Sequence, residues 1–180
     1  VGKETIQLSE LSLISIFLGV VLGGISFTGS LIAYYKLNGV RFSVSASFSK
    51  TLSRILLLAI FVGLVVPFGI SLNPIQLTGL LIALTLAALL YGFSFTIAIG
   101  GADMPVLISF LNAITGVAAA FSGIVFASPV MLIGGILVGA TGVILTMQMC
   151  KAMNRSLFNI LSGKFANNAS LKSGTQRQIE

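Results

Sequence analysis

The sequence contains no histidine, a single cysteine and only four acidic residues in 180. Without histidine, the usual metal ligand and near-neutral proton relay is missing. The lone thiol, Cys150, cannot form a disulfide within the chain and gives no basis for a cysteine-held metal, so no metal site is expected. Charged residues make up 8% and apolar residues 56%, where soluble domains average roughly 25% and 45–50%. With a mean hydropathy of +1.09, this composition excludes an ordinary soluble domain and indicates a polytopic membrane protein. In lipid the backbone must satisfy its own polar groups, so spans are helices or closed barrels. The apolar runs here are unbroken rather than alternating, which selects helices. The start, VGKETIQLSE, has no initiator Met and lacks the basic, apolar, small-residue order of a signal peptide. The expectation is a processed product or an internal piece of a longer polypeptide.

Five runs are long enough for a hydrocarbon core that takes about 20 helical residues. They are Leu11 to Tyr35, Ile55 to Leu72, Ile75 to Ile99, Met104 to Phe126 and Val130 to Cys150. The fold class expected is therefore an all-α membrane protein, a bundle of five transmembrane helices spanning 11–163, after a lead at 1–10. A polar tail at 164–180 reads as a linker. Asn73-Pro74 and Ser128-Pro129 sit in connections of a few residues, so spans two and three form one hairpin and spans four and five another. Nine of the ten cations lie in the loop from Lys36 to Arg54 and in the tail, with Lys3 the exception. By the positive-inside rule that face is cytoplasmic, or the matrix side of a mitochondrion, and the N-terminus lies outside. The net charge of +6 follows from this placement and implies no nucleic-acid partner.

None of the five runs contains Asp, Glu, Lys, Arg or His. A pump or transporter ordinarily carries an ionisable group inside the membrane, so these helices either scaffold a complex or complete a pathway whose titrating residue lies on another segment. Asn112, eight residues after Met104, is about 12 Å along its helix and close to the midplane. Ser30, six residues before Lys36, comes to about 9 Å from the same charged face. An amide and hydroxyls can hold water or orient an ionisable partner. They can equally be interhelical hydrogen bonds, and for Thr28, Ser30 and Thr115 that is the ordinary role.

Asp103 is the only acid between Glu10 and Glu180. Preceding Met104-Pro105 and an apolar helix, it stands where an N-cap would. The other reading is an acid at the mouth of the bundle that couples it to a soluble partner. Glu10 has a similar choice between a solvated helix start and the mouth of a proton path. Gly19 and Gly23, then Gly135, Gly139 and Gly142, recur at helix-packing spacing, and Gly116, Ala119, Ala120 and Gly123 form a third small-residue face.

GGADMPVLISFLN, followed by a small-residue helix and GGILVGATGVILTMQMCKAMNRS, closely resembles the membrane domain of the proton-translocating NAD(P) transhydrogenase beta subunit. LSELSLISIFLGVVLGGISFTGSLIAYYKLNG resembles the helix before the basic loop of that subunit. The resemblance implies part of a translocase that couples proton movement to hydride transfer between NAD(H) and NADP(H), both held on associated soluble domains. No hydride-transfer site, and no cofactor, is expected on this chain. It implies a proton pathway at Asn112, Ser30, Thr28 and Glu10, coupling to the soluble domain through Asp103, Lys151 and Arg155, and helix packing at Gly135, Gly139 and Gly142. The implied partners are the lipid bilayer, the other transhydrogenase membrane helices, an NADP-binding domain after the tail and an NAD-binding subunit, in a dimeric complex. The implied location is a bacterial or mitochondrial inner membrane. The family's proton-path histidine belongs to a helix upstream of the residues present here, which matches the absence of titratable groups from the spans. Where the family often has aromatics after Asn112, this chain has Ala113, Ile114 and Val117. The alternative is a non-catalytic membrane scaffold retained for assembly of a larger complex.

Overall fold

A computed structural model describes residues 10–40, 46–69 and 73–154, together with 156, 157 and 160. Among them all regular structure is helical: α1 (Glu10–Leu37), α2 (Ala46–Gly69), α3 (Pro74–Ala98), a 3-10 turn over Gly101–Asp103, α4 (Met104–Val125) and α5 (Pro129–Ala152). By length and composition α1, α3, α4 and α5 can each cross a membrane. The second expected span is carried by α2, whose described apolar stretch is the shorter Thr51–Val65. The protein is an integral membrane protein. Helix α2 begins at Ala46, inside the basic segment, so Lys50 and Arg54 extend the helix beyond the apolar run that starts at Ile55. Most of the N-terminal lead and the tail expected at 164–180 lie outside the described residues.

Turn chemistry sets the helix ends. After α1, Gly39 takes φ +84, and its N–H bonds the Lys36 carbonyl at 3.1 Å while Val40 N–H bonds that of Tyr35 at 3.2 Å. This is a Schellman stop, which needs a left-handed residue. Helix α4 stops the same way on Ala127, at φ 48, with Ser128 N–H on the Gly123 carbonyl at 2.9 Å. Ser128 then caps α5 ahead of Pro129 by accepting from Met131 N–H. At Asn73, the backbone N–H donates to the Gln76 Oε1 at 3.0 Å, and Pro74 opens α3. Both Pro turns therefore close hairpins, as their sequences imply.

Helix α1 does not stand apart. It lies between the two hairpins, packed on α3 and on α4, so that the spatial order is α2, α3, α1, α4, α5. Two apolar clusters fill the seams. One holds Ala33, Ile99, Met104, Val106, Leu107, Leu111, Cys150 and Ile160, which puts the end of α1, the start of α4 and the end of α5 at one end of the bundle. The other holds Phe17, Val21, Ile60, Leu84 and Ala88 towards the opposite end.

With lipid outside, apolar burial gives little drive, and close backbone approach must supply the contact. The α4–α5 seam is built for that. A Cβ at Gly116 would lie 2.2 Å from the Gly139 backbone nitrogen, one at Gly135 2.3 Å from that of Ala120, and one at Gly142 2.7 Å from backbone atoms of Ala113. On α1 the expected Gly19/Gly23 pair is not the point of closest approach: Gly23 has nothing within 4 Å, and Gly19 faces α4 at ordinary distances, 3.7 Å from Phe121 and 3.9 Å from Ala118 and Ser122. Gly24, against Ala88 at 3.1 Å, and Gly29, against Leu111 at 3.0 Å, come closer. The reason is that α1 has two neighbours, and the face between them falls one to six residues beyond the GxxxG pair.

The glycines of α5 should thus be unequal. Gly135→Ala and Gly142→Ala should each destabilise the folded chain by about 1–3 kcal/mol through overpacking. Gly139→Ala, whose Cβ would meet Val117 at an ordinary 3.5 Å, should be close to neutral. Thermal denaturation of the three purified variants in detergent checks this, and equal losses would contradict the seam.

Candidate functional site

Two places hold most of the expected site residues, the α1–α4 seam and the end of the bundle that carries Asp103. At the seam, Ser26 is 4% exposed and sends its hydroxyl to the Leu111 carbonyl at 3.1 Å and to Thr115 Oγ1. Thr115 donates to the same carbonyl at 2.9 Å. Three oxygens from two helices thus meet beside Asn112, whose own side chain is exposed. Ser30 is exposed too. Asn112 and Thr115 share one face of α4 by their spacing of three, and Ser26 and Ser30 share one face of α1 by their spacing of four. The two helices run antiparallel, since the end of α1 and the start of α4 share a cluster. From the Ser26–Thr115 contact, Ser30 and Asn112 therefore both lie one turn nearer the Asp103 end. They sit at one depth, open to the outside of these five helices.

Thr28 is not part of that strip. Its hydroxyl donates to the Gly24 carbonyl at 3.0 Å and packs where a Cβ on Gly92 would stand, in the α1–α3 seam. Glu10 begins α1, and its side chain lies outside the described residues.

At the other place, Asp103 closes the 3-10 turn and is 7% exposed. It occupies the residue before α4, but its carboxylate makes no capping bond to that helix, so the expected N-cap role is not what buries it. Oδ2 lies over Gly100, 4.0 Å from where a Cβ would be. That is an ordinary van der Waals distance, so the carboxylate lies against the turn without needing a glycine there. Lys151 is exposed in the last turn of α5, beside Cys150 of the cluster that also holds Met104. Asp103 and Lys151 therefore share one end of the bundle. Arg155 lies outside the described residues. Among the described residues no group of three or more metal-binding side chains occurs.

Sequence reasoning missed two residues. Ser26, one turn before Ser30, was visible only as another membrane hydroxyl. Lys36 was counted as a loop cation, yet its Nζ donates to the carbonyls of Thr96 at 3.1 Å, Ile97 at 2.8 Å and Ile99 at 2.6 Å. These carbonyls lie at the end of α3, where a helix leaves acceptors short of donors, and a cation there also meets the negative end of the helix dipole. Hydrogen bonds to a charged group are worth about 1.5–3 kcal/mol each against about 0.6 kcal/mol for a membrane hydroxyl contact, so Lys36 is the strongest polar tie described between helices. The signal was present in retrospect: a cation in the last turn of α1, at the same end as the C-terminus of α3, which stops at Ala98 with no basic residue in its own last turn.

The model of the NAD(P) transhydrogenase beta subunit family matches residues 2–180. The chain belongs to that family. Two curated relatives, both NAD(P) transhydrogenase subunit beta of Rhodospirillum rubrum and one of them from a named strain, are each 40% identical to it over 156 residues. That alignment covers 87% of this chain and 33% of the relatives, so the chain spans about a third of the length of the transhydrogenase subunits it matches. The long blocks GGADMP and MCKAMNRS, with α4 and α5 between them, hold the exposed amide, the buried aspartate and the α4–α5 seam.

A double-mutant cycle of Ser26→Ala and Thr115→Val should give a coupling energy of about 0.6 kcal/mol, the usual value for such a pair. A coupling indistinguishable from zero would mean that the hydroxyls are neighbours without being partners.

Proposed function

We propose that this chain is the membrane proton-pathway part of a proton-translocating NAD(P) transhydrogenase, coupling proton movement to hydride transfer between NAD(H) and NADP(H) on soluble domains. The observation that carries this reading is the exposed amide of Asn112 midway along α4, at the depth of exposed Ser30 on the neighbouring α1. A polar side chain facing hydrocarbon is expensive, whereas one facing a further helix with a titratable group is a relay. Family membership supports such a helix, as does the coverage of about a third of the relatives' length. In this reading the covering helix supplies the proton-carrying group, Asn112 and Ser30 orient it or a water bound to it, and Glu10 stands at the opposite mouth. Thr28, tied to its own helix and to α3, acts by packing rather than by lining the path.

The bundle end bearing Lys36, Asp103 and Lys151 is the cytoplasmic or matrix end in this proposal, supported by its cations. There Asp103, Lys151 and Arg155 meet an NADP-binding domain reached through the tail, and the NAD-binding subunit completes the reaction. NADP and NAD stay on those domains. The dimeric state of the complex rests on the resemblance alone.

Asn112→Ala tests the reading in the assembled complex in membrane vesicles. Proton-coupled hydride transfer should fall by about tenfold or more, the scale of losing a positioned proton-transfer group, while membrane insertion is kept. Proton pumping and coupled hydride transfer both unchanged would overturn the role of Asn112 and favour the scaffold reading.

A further inference from the structure

Helix α3 ends on a single long backbone bond of its own. The C-terminal residue Ile99 is extended, at φ -85 and ψ 136, and its N–H makes only a 3.4 Å bond to the Thr96 carbonyl. The Thr96 hydroxyl, in a fully buried residue, makes no hydrogen bond among the described residues, so it does not hold this turn either. What satisfies the last carbonyls of α3 is the ammonium of Lys36, reaching across from α1 to three of them. The third, on Ile99, is the last peptide before Gly100-Gly101 and the turn that carries Asp103. Gly100 and Gly101 have no side chains with which to hold the turn, and within the backbone Asp103 N–H returns to the Gly100 carbonyl at 3.1 Å. An anchor for the start of the bridge between α3 and α4 is supplied by α1 through Lys36 and the Ile99 carbonyl.

We propose that Lys36 is a positioning residue: a latch through which α1 sets where the Gly100–Asp103 bridge, and hence Asp103, stands at the end of the bundle. The geometry explains why one cation serves both helices. The carbonyls of Thr96, Ile97 and Ile99 converge because α3 is unwinding there, and only a group with several rotatable donors can meet all three. A shift of α1 along its axis, which also carries Ser30, would draw Ile99 and the bridge with it. The latch thus links the depth of the Ser30–Asn112 strip to the position of Asp103. The functional consequence rests on the coupling role given to Asp103 above; the latch itself does not.

The test uses the complete assembled complex in inverted membrane vesicles, with Gly101→Cys as a reporter. A Cβ at Gly101 meets nothing within 4 Å, and the native Cys150 is buried. Labelling of this chain by a membrane-impermeant maleimide, read by mass, should be at least about threefold faster at Gly101→Cys when Lys36→Met is added. Lys36→Arg, which retains the charge and several donors, should keep labelling near the parent rate. Unchanged labelling in Lys36→Met overturns the latch, as does equal acceleration in Lys36→Arg and Lys36→Met. Where Lys36→Met does not assemble, Lys36→Gln is read in the same way. Coupled hydride transfer is measured on the same vesicles and should fall in Lys36→Met while uncoupled exchange on the soluble domains persists. Faster labelling with coupled transfer unchanged keeps the latch and overturns the coupling role of Asp103.

Discussion

A polar atom surrounded by hydrocarbon has no partner except another part of the protein, and nearly every feature of this molecule answers to that constraint. It forces the spans to be helical and ends them on residues that return the last carbonyls to the backbone, at Gly39 and Ala127. Where α3 lacks such a stop, the ammonium of Lys36 is brought from a different helix. It folds the hydroxyls of Thr28, Thr115 and Thr146 back onto their own helices. Against this background Asn112 stands out as an amide exposed midway along an apolar helix.

The same constraint governs packing. Since lipid and side chain are equally apolar, the helices gain by approaching until backbone meets backbone. Helix α4 does so on α5 through Gly116, Gly135 and Gly142. That seam leaves the opposite side of α5 lined with exposed Ile133, Leu137 and Ile144, an ordinary lipid surface. Helix α4 meets α1 at Leu111 and Thr115, and the exposed Asn112, four residues before Gly116, stands between that contact and the α5 seam.

Much of this was legible in the residues. Apolar runs bounded by Asn73-Pro74 and Ser128-Pro129 gave the spans and hairpins, because Pro turns and run lengths are local properties. The α5 glycines were recognisable for the same reason. Which way each helix turns was not legible, because a helix apolar on all sides carries no inward signal. Hence Gly19 and Gly23 looked like the α1 seam when Gly24 and Gly29 make the closer approaches, and Thr28 and Ser30 looked alike when one is packed and the other open. Asp103 suggested a cap, because position alone could not show that its carboxylate makes no capping bond to α4. Lys36 was invisible as a latch, since its acceptors lie about sixty residues away in sequence.

The central claim is that the exposed strip at Ser30 and Asn112 is one half of a proton relay, closed by a helix from the remainder of the subunit. The most direct measurement is an experimental structure of the assembled complex at a resolution that places side chains and waters. The account requires a protein helix over this strip, with an ionisable side chain within hydrogen-bond reach of the Asn112 amide, directly or through one water. Lipid acyl chains packed against Asn112, with no titratable group near it, would contradict it.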